Sequence, residues 1–175
     1  MPALSPPPAE PTAAAADELV FPMGEFRARF PSDRGYCRNH LWLAATGDDH
    51  AAGPVYRVGF TAYSLRLLQD VYFLDWSVDE GTAVEAGANL GEIESAKALS
   101  SLHPPSAGVV VSLNPEPLAD PGVLNACGYD AGDGGGWLYE FATPHPPLDA
   151  AAYVQHLSAV WETTQRVIKG QANAA

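Results

Sequence analysis

One stretch limits what this chain can fold into more than any other. From Val78 to Val110 it reads V-D-E-G-T-A-V-E-A-G-A-N-L-G-E-I-E-S-A-K-A-L-S-S-L-H-P-P-S-A-G-V-V, with Lys97 near its middle. Leu90 to Glu94 reads as a strand. Leu99 and Leu102 lead to Pro104-Pro105, and Gly108 opens Val109-Val110-Val111 as the returning strand. Between them Ser95-Ala96-Lys97-Ala98 is small enough for a tight hairpin tip. The spacing G-x-x-V at Gly81–Val84 recurs at Gly108–Val111, which points to two quasi-repeated hairpins about the lysine turn. The lysine is unusual: of nine basic residues seven are arginine, and Lys97 is the only Lys or Arg between Arg66 and Arg166. A primary amine can be acylated where a guanidinium cannot, and a lysine held at such a tip by small neighbours can enter an enzyme's active site.

Read from the turn alone, Lys97 is equally an ordinary surface lysine. The spacing of Gly81, Val84, Gly87, Leu90, Ile93, Glu94 and Lys97, with Pro105 and Gly108 after them, is similar to the prosthetic-lysine hairpins of lipoyl and biotinyl carrier domains. The form E-S-x-K-A resembles the lipoyl type; biotin carriers typically have Met on both sides of the lysine, where Ala96 and Ala98 stand here. Other segments agree in order: His40-Leu41-Trp42, Val58-Gly59-Phe60-Thr61-Ala62-Tyr63, Leu68-Gln69-Asp70-Val71, Asp120-Pro121 to Asn125, and Gly136-Trp137-Leu138. From about residue 36 to about residue 160 the chain resembles the H protein family of the glycine cleavage system.

That resemblance implies a mainly β fold, a lipoyl-type barrel-sandwich hybrid with peripheral helices. It implies lipoate bound covalently as lipoyl-lysine at Lys97. Glu94, three residues before Lys97 and the nearest charge to it, is either a solvated strand acid or part of what a lipoylating enzyme reads in the hairpin. The carrier would be no enzyme and have no catalytic residues of its own. Its arm would visit the glycine decarboxylase (P protein), the aminomethyltransferase (T protein) and the dihydrolipoyl dehydrogenase (L protein), moving the aminomethyl group of glycine. Two positions depart from the pattern. The family usually has Glu between the His and Trp, where Leu41 stands, and Asp four residues after the lysine, where Ser101 stands. In the family these acids help hold the loaded arm in a surface cleft. Their loss keeps open a lipoyl carrier of another pathway, such as sulfur-compound oxidation or a lipoate relay, or an unmodified interaction module. An enzyme has little support: there is no nucleophile elbow, no C-x-x-C, and no His beside a plausible Ser or Cys.

Composition narrows the rest. A chain of 175 residues that is 47% hydrophobic suits one domain with tails. The net charge is −12. Seven acids, Asp70, Asp75, Asp79, Glu80, Glu85, Glu92 and Glu94, lie on the approach to Lys97 and suit steering toward basic partners as well as solubility. Nucleic-acid binding lacks a basic patch. Cys37 and Cys127 read as two free thiols, and the five histidines have no metal-ligand spacing. No run is long enough to span a membrane, and the start resembles neither a secretory signal nor an Arg-rich presequence, so the expected location is cytoplasmic.

Along the chain, residues 1–19 are Pro- and Ala-rich and read as a disordered tail. The carrier domain takes residues 20–148, with a lead-in to Arg38 in which Phe21, Phe26 and Phe30 pack on the body. Strands are expected at His40–Leu43, Val55–Phe60 and Val71–Leu74, the last buried on both faces, with a helix capped by Thr61 running to Gln69. Asn114–Ala126, with three prolines, is expected to be a loop with at most a short helix. A glycine-rich loop at Gly128–Gly136 precedes a strand at Trp137–Phe141. Asp149 caps an amphipathic C-terminal helix with Tyr153, Leu157, Val160, Trp161, Thr164 and Ile168 on one stripe, stopping at Gly170. The helix segment is 149–170, and 171–175 is a tail.

Overall fold

The structure is a computed structural model that describes residues 17–173, with side chains as far as residue 165. Of the tail expected at residues 1–19, residues 1–16 lie outside the described residues, as do the side chains of Ile168 and Lys169. The chain enters as a hairpin, β1 (Glu18–Met23) and β2 (Phe26–Pro31), turning at Gly24, whose φ of +65° favours a residue without Cβ. Glu18 and Leu19 therefore belong to a strand rather than to the tail. Alternate residues of the hairpin face inward: Phe21, Met23, Ala28 and Phe30 are buried, and Phe26 is half-buried with Arg66 over its ring at 4.7 Å. They pack with Tyr36, Trp42, Tyr63, Tyr153 and Leu157 in an aromatic cluster. In it the Tyr36 and Tyr153 rings stack with centroids 5.0 Å apart.

The body is two sheets facing one another. The larger contains β3 (Gly35–Tyr36), β4 (Leu41–His50), β5 (Gly53–Phe60), β7 (Thr82–Val84), β10 (Gly108–Leu113) and β11 (Trp137–Ala142), in the order β3-β4-β5-β11-β10-β7. The smaller is β6 (Val71–Trp76), β8 (Gly91–Ser95) and β9 (Leu99–Leu102), with β8 in the middle. Every pairing is antiparallel. Leu41, Val58, Phe60, Leu74, Leu90, Ile93, Leu102, Val110, Leu138 and Phe141 fill the space between the sheets. The fold is mainly β, as expected, and its sheets stay open instead of closing into a barrel.

Three expectations are corrected. The strand returning from the lysine turn is β9, paired Glu94 to Leu99 and Gly91 to Leu102. Val109–Val111 belongs to β10 in the other sheet, where Gly108 pairs with Val84 and Val110 with Thr82, so the two G-x-x-V segments pair with each other. Strand β6 is not buried on both faces. Its register shifts between Val71 and Phe73, and this bulge leaves both Tyr72 and Phe73 exposed, at 63% and 48%, while Val71 and Leu74 are buried. Residues 114–126 hold two short helices, α2 (Pro115–Ala119) and α3 (Val123–Cys127). Proline does not forbid the first: Pro115 sits where a helical N–H has no partner anyway, and Asn114 caps by accepting from Glu116 N at 3.2 Å.

The other two helices match better. Thr61 Oγ1 accepts from Ser64 N at the start of α1 (Ala62–Leu68). Asp149 Oδ1 accepts from Ala152 N at 2.8 Å at the start of α4 (Ala150–Asn173). Tyr153 and Leu157 are fully buried, and α4 lies over β1 and β3. Gly170 does not stop α4, which runs on to Asn173; one glycine costs a helix about 1 kcal/mol without breaking it.

Candidate functional site

Lys97 stands exposed at the end of the β8–β9 hairpin. Its side chain makes no hydrogen bond or ion pair with any described residue. The tip beneath it is fixed by backbone bonds: Ser95 N donates to Ala98 O at 2.9 Å, and Ala96 N donates to Asp70 O at 2.8 Å. Two-residue hairpin loops usually need positive φ at the first or at both loop positions. Neither Ala96 nor Lys97 has one. The Ser95 hydroxyl instead accepts the N–H of Lys97 at 3.3 Å and of Ala98 at 3.2 Å. Ser95 is 8% exposed, so these bonds are half shielded from water. The serine was legible as part of a motif, but its service to the turn was not; the cue available was a small hydroxyl residue two positions before the lysine.

A groove starts beside the tip. Its near part, about 300 Å³, is lined by Phe60, Leu67, Leu68, Ile93, Ala98 and Leu102 together with Ser64, Ser100 and Ser101. Its far part, about 80 Å³, shares Phe60, Ser101 and Leu102 and adds Leu41 and Tyr139. The structure thus brings the two departing positions, Leu41 and Ser101, to one hollow. No residue lining either part is a carboxylate. Leu41 is 4% exposed and belongs to the core, so its wall is apolar as well as uncharged. Ser101 is exposed on the edge strand and pairs directly with Glu92. Tyr139 also lines the hollow, and its hydroxyl is buried without a hydrogen-bond partner among the described residues. Burial pushes that phenol well above its ordinary pKa.

Glu94 is exposed on β8 between its cross-strand partners Phe73 and Leu99. One step further from the tip, Asp75, Glu92 and Ser101 form the next row on the same face. The ion pairs among the described residues are Arg29–Glu18, Arg34–Asp33 and Arg57–Asp133, all elsewhere. A larger cavity of about 510 Å³, between Tyr36, Cys37, His103, Pro105, His145 and Pro147, does not reach Lys97. Cys37 and Cys127 are both free thiols. Burial raises the Cys37 pKa to about 12, which leaves it an inert thiol at neutral pH. Among the described residues no cluster of His, Cys, Asp or Glu could hold a metal, and no helix is long and apolar enough to cross a membrane.

Comparison with known proteins gives one consistent result. The family described as glycine cleavage H-protein matches residues 34–162. The glycine cleavage system H protein of Micrococcus luteus is 36% identical over 133 residues, 73% of this chain and 97% of the relative. That of Mycolicibacterium gilvum is 36% identical over 124 residues, 71% of this chain and 87% of the relative. The crystal structure of a glycine cleavage system H protein from Mycobacterium marinum superposes with a TM-score of 0.60 at 32% identity, covering 74% of this chain and 99% of that one. With a lysine hairpin inside the matched region and the same fold around it, this chain belongs to the glycine cleavage H-protein family.

Proposed function

We propose that this chain is the lipoyl-carrying shuttle of a glycine cleavage system, with the lipoyl amide on Lys97 Nζ. The observation that carries the reading is an exposed lysine, free of side-chain partners among the described residues, on a turn that hydrogen bonds hold still. The residues present fit the group: acylating Lys97 breaks no bond the described residues make, and Ala96 and Ala98 leave room for an enzyme to close over the amine. When bound, lipoate supplies a dithiolane that opens to carry the aminomethyl group of glycine and is later reoxidised. The protein's part is to bind and orient. The hairpin carries the arm clear of the body, and the groove from Ala98 to Leu41 offers an apolar surface along which the arm can lie out of water. The P, T and L proteins and a lipoylating enzyme are the partners of this reading. Tethering keeps the cargo at high effective concentration through each encounter.

Intact mass and peptide mapping after co-expression with a lipoylating enzyme test it. One lipoyl increment on the peptide bearing Lys97, lost in Lys97→Arg, is the expected result. Modification that survives Lys97→Arg, or that falls on Lys169, overturns the site. The carboxylate-free groove favours one second reading, a lipoyl carrier serving another pathway. It takes precedence if the lipoylated protein is not loaded from glycine by a glycine decarboxylase.

A further inference from the structure

The register shift in β6 does something that a regular strand avoids. Side chains of a strand alternate between faces, yet Tyr72 and Phe73 are neighbours and both lie in solvent. Two adjacent exposed aromatics beside a functional lysine form a feature that the fold's own stability does not require. Cross-strand pairing places Phe73 beside Glu94 and Glu94 beside Leu99, which is 66% exposed. Tyr72 occupies the bulge between the pairs Val71–Ser95 and Phe73–Glu94, next to the base of the turn. The outer face of the hairpin is therefore an apolar patch of Tyr72, Phe73 and Leu99. Glu94 lies within it, between Phe73 and Leu99, and the exposed carboxylates of Asp70, Asp75 and Glu92 stand around it; none of the four is paired with a cation among the described residues.

We propose that this patch is the docking surface for the enzyme that acylates Lys97, an enzyme whose active-site mouth presents an apolar seat ringed by Arg or Lys. The proposal rests on Lys97 being the attachment site. Aromatic anchors inside a charged rim are the usual anatomy of a tight contact, and the acidic rim fixes the sign of the partner's rim. The choice of occupant follows from reach. In acylation the Lys97 amine, having given a proton to a base on the enzyme, attacks the carbonyl carbon of an activated lipoyl donor, a mixed anhydride or thioester. The C–N bond forms, the bond to the leaving group breaks, the leaving group departs with the electron pair, and the attacking nitrogen gives up its second proton to the leaving group or to a base on the enzyme, leaving a neutral amide. For this the hairpin itself must enter the enzyme, so its flank is pressed against the mouth. Partners that work at the end of an attached arm meet the same flank from further off.

The test compares the full chain with Tyr72→Ser/Phe73→Ser and with Val20→Ser, which removes an exposed apolar side chain on β1. Thermal melts establish that each variant is folded. Modification is followed with a purified lipoate–protein ligase, lipoate and ATP, and binding to the ligase is measured separately in a Lys97→Arg background, where no reaction occurs. The expected result is a KM raised about tenfold or more with kcat nearly unchanged, a matching loss of binding, and no effect of Val20→Ser. Binding by the wild type should also weaken as salt rises. An unchanged KM in the double variant overturns the docking surface while leaving Lys97 as the lipoyl site; a wild type that the ligase cannot modify overturns the lipoyl reading itself. Two further outcomes count against the patch: slower loading by the decarboxylase with normal lipoylation, or a change of oligomeric state in the double variant, which would make the face a contact between copies.

Discussion

The Ser95 hydroxyl accepts the backbone N–H of Lys97 at 3.3 Å, so the residue that shapes the turn is bonded directly to the residue that the turn presents. Ser95→Ala leaves the amides of Lys97 and Ala98 without that acceptor. A shared bond of this kind is worth roughly 0.5–1.5 kcal/mol, so lipoylation of Lys97 should slow by roughly two- to tenfold with little change in melting temperature. Ser95→Thr, which keeps the hydroxyl, should restore most of the rate. Equal rates for Ala and Ser would show that the backbone bonds hold the tip unaided.

Trp42 and Gly59 are direct cross-strand partners, and the indole lies across the glycine. A Cβ at position 59 would meet the Trp42 ring at 2.5 Å. Gly59→Ala must therefore push a fully buried indole out of place, and chemical denaturation should show a loss of about 2 kcal/mol or more. A neutral effect would mean the aromatic cluster can shift as a body.

Restoring the family's two acids should have unequal effects. Leu41→Glu places a carboxyl among buried apolar groups and should cost about 2–4 kcal/mol at neutral pH, less at low pH where the group is protonated. Ser101→Asp is exposed but stands opposite Glu92, so its cost should stay within about 1 kcal/mol and shrink as salt rises. Denaturation of each variant at two pH values and two salt concentrations checks both. A harmless Leu41→Glu would show that the groove wall opens readily to water.

Tyr139 offers a converse test. Its hydroxyl is buried with no partner among the described residues. Deleting an unsatisfied group removes a penalty, so Tyr139→Phe should be neutral or stabilising by up to about 1 kcal/mol. Destabilisation beyond that would reveal an ordered water bonded to the hydroxyl in the hollow.

His40 sets a pH dependence. Burial, and to a smaller extent the facing His156, lower its pKa from 6.5 to about 4. Its Nδ1 lies 2.9 Å from Tyr153 Oη, and the Tyr63 ring lies over it at 4.6 Å. The neutral ring is the form that fits. Its contribution is complete above pH 6.5 and is lost as pH falls from there to about 4, because the unfolded chain takes up the proton first. The φ of +68° at this position is one that Asn accepts, so His40→Asn is the suitable control. Across that window the wild type should lose roughly 2 kcal/mol more than the variant, measured by urea unfolding. Parallel pH profiles would show that the imidazole stays solvated.

What could be read from the residues divides by range. Leu41–Leu43, Val55–Phe60 and Trp137–Phe141 carry strong local patterns and are strands; Thr61 and Asp149 are caps with a local mechanism and cap helices. Partner choice is not local. Nothing near Val109 says that it pairs with Ala83 rather than with the strand leading to Lys97. The β6 bulge hides in four apolar letters, Val71 to Leu74, and only the register with β8 shows that two of them turn outward. In the first hairpin Phe26-Arg27-Ala28-Arg29-Phe30 alternates, but its partner strand does not, because the apolar Val20 and Pro22 face outward. The hairpin that presents Lys97 was legible because a motif carries it. The groove was legible only as two departures from a pattern, and Tyr139 not at all, since its lost partner is a fact of packing.

The place of β11 sets a timetable. It lies between β5 and β10, bonded to both, and without it the larger sheet falls into two pieces. Among the described strands it is also the last to be synthesised. The three strands beside Lys97 are complete in the growing chain by Leu102, whereas the sheet behind them cannot close until Ala142 has been made. A chain arrested between those points carries the whole lysine hairpin on a body that is still open.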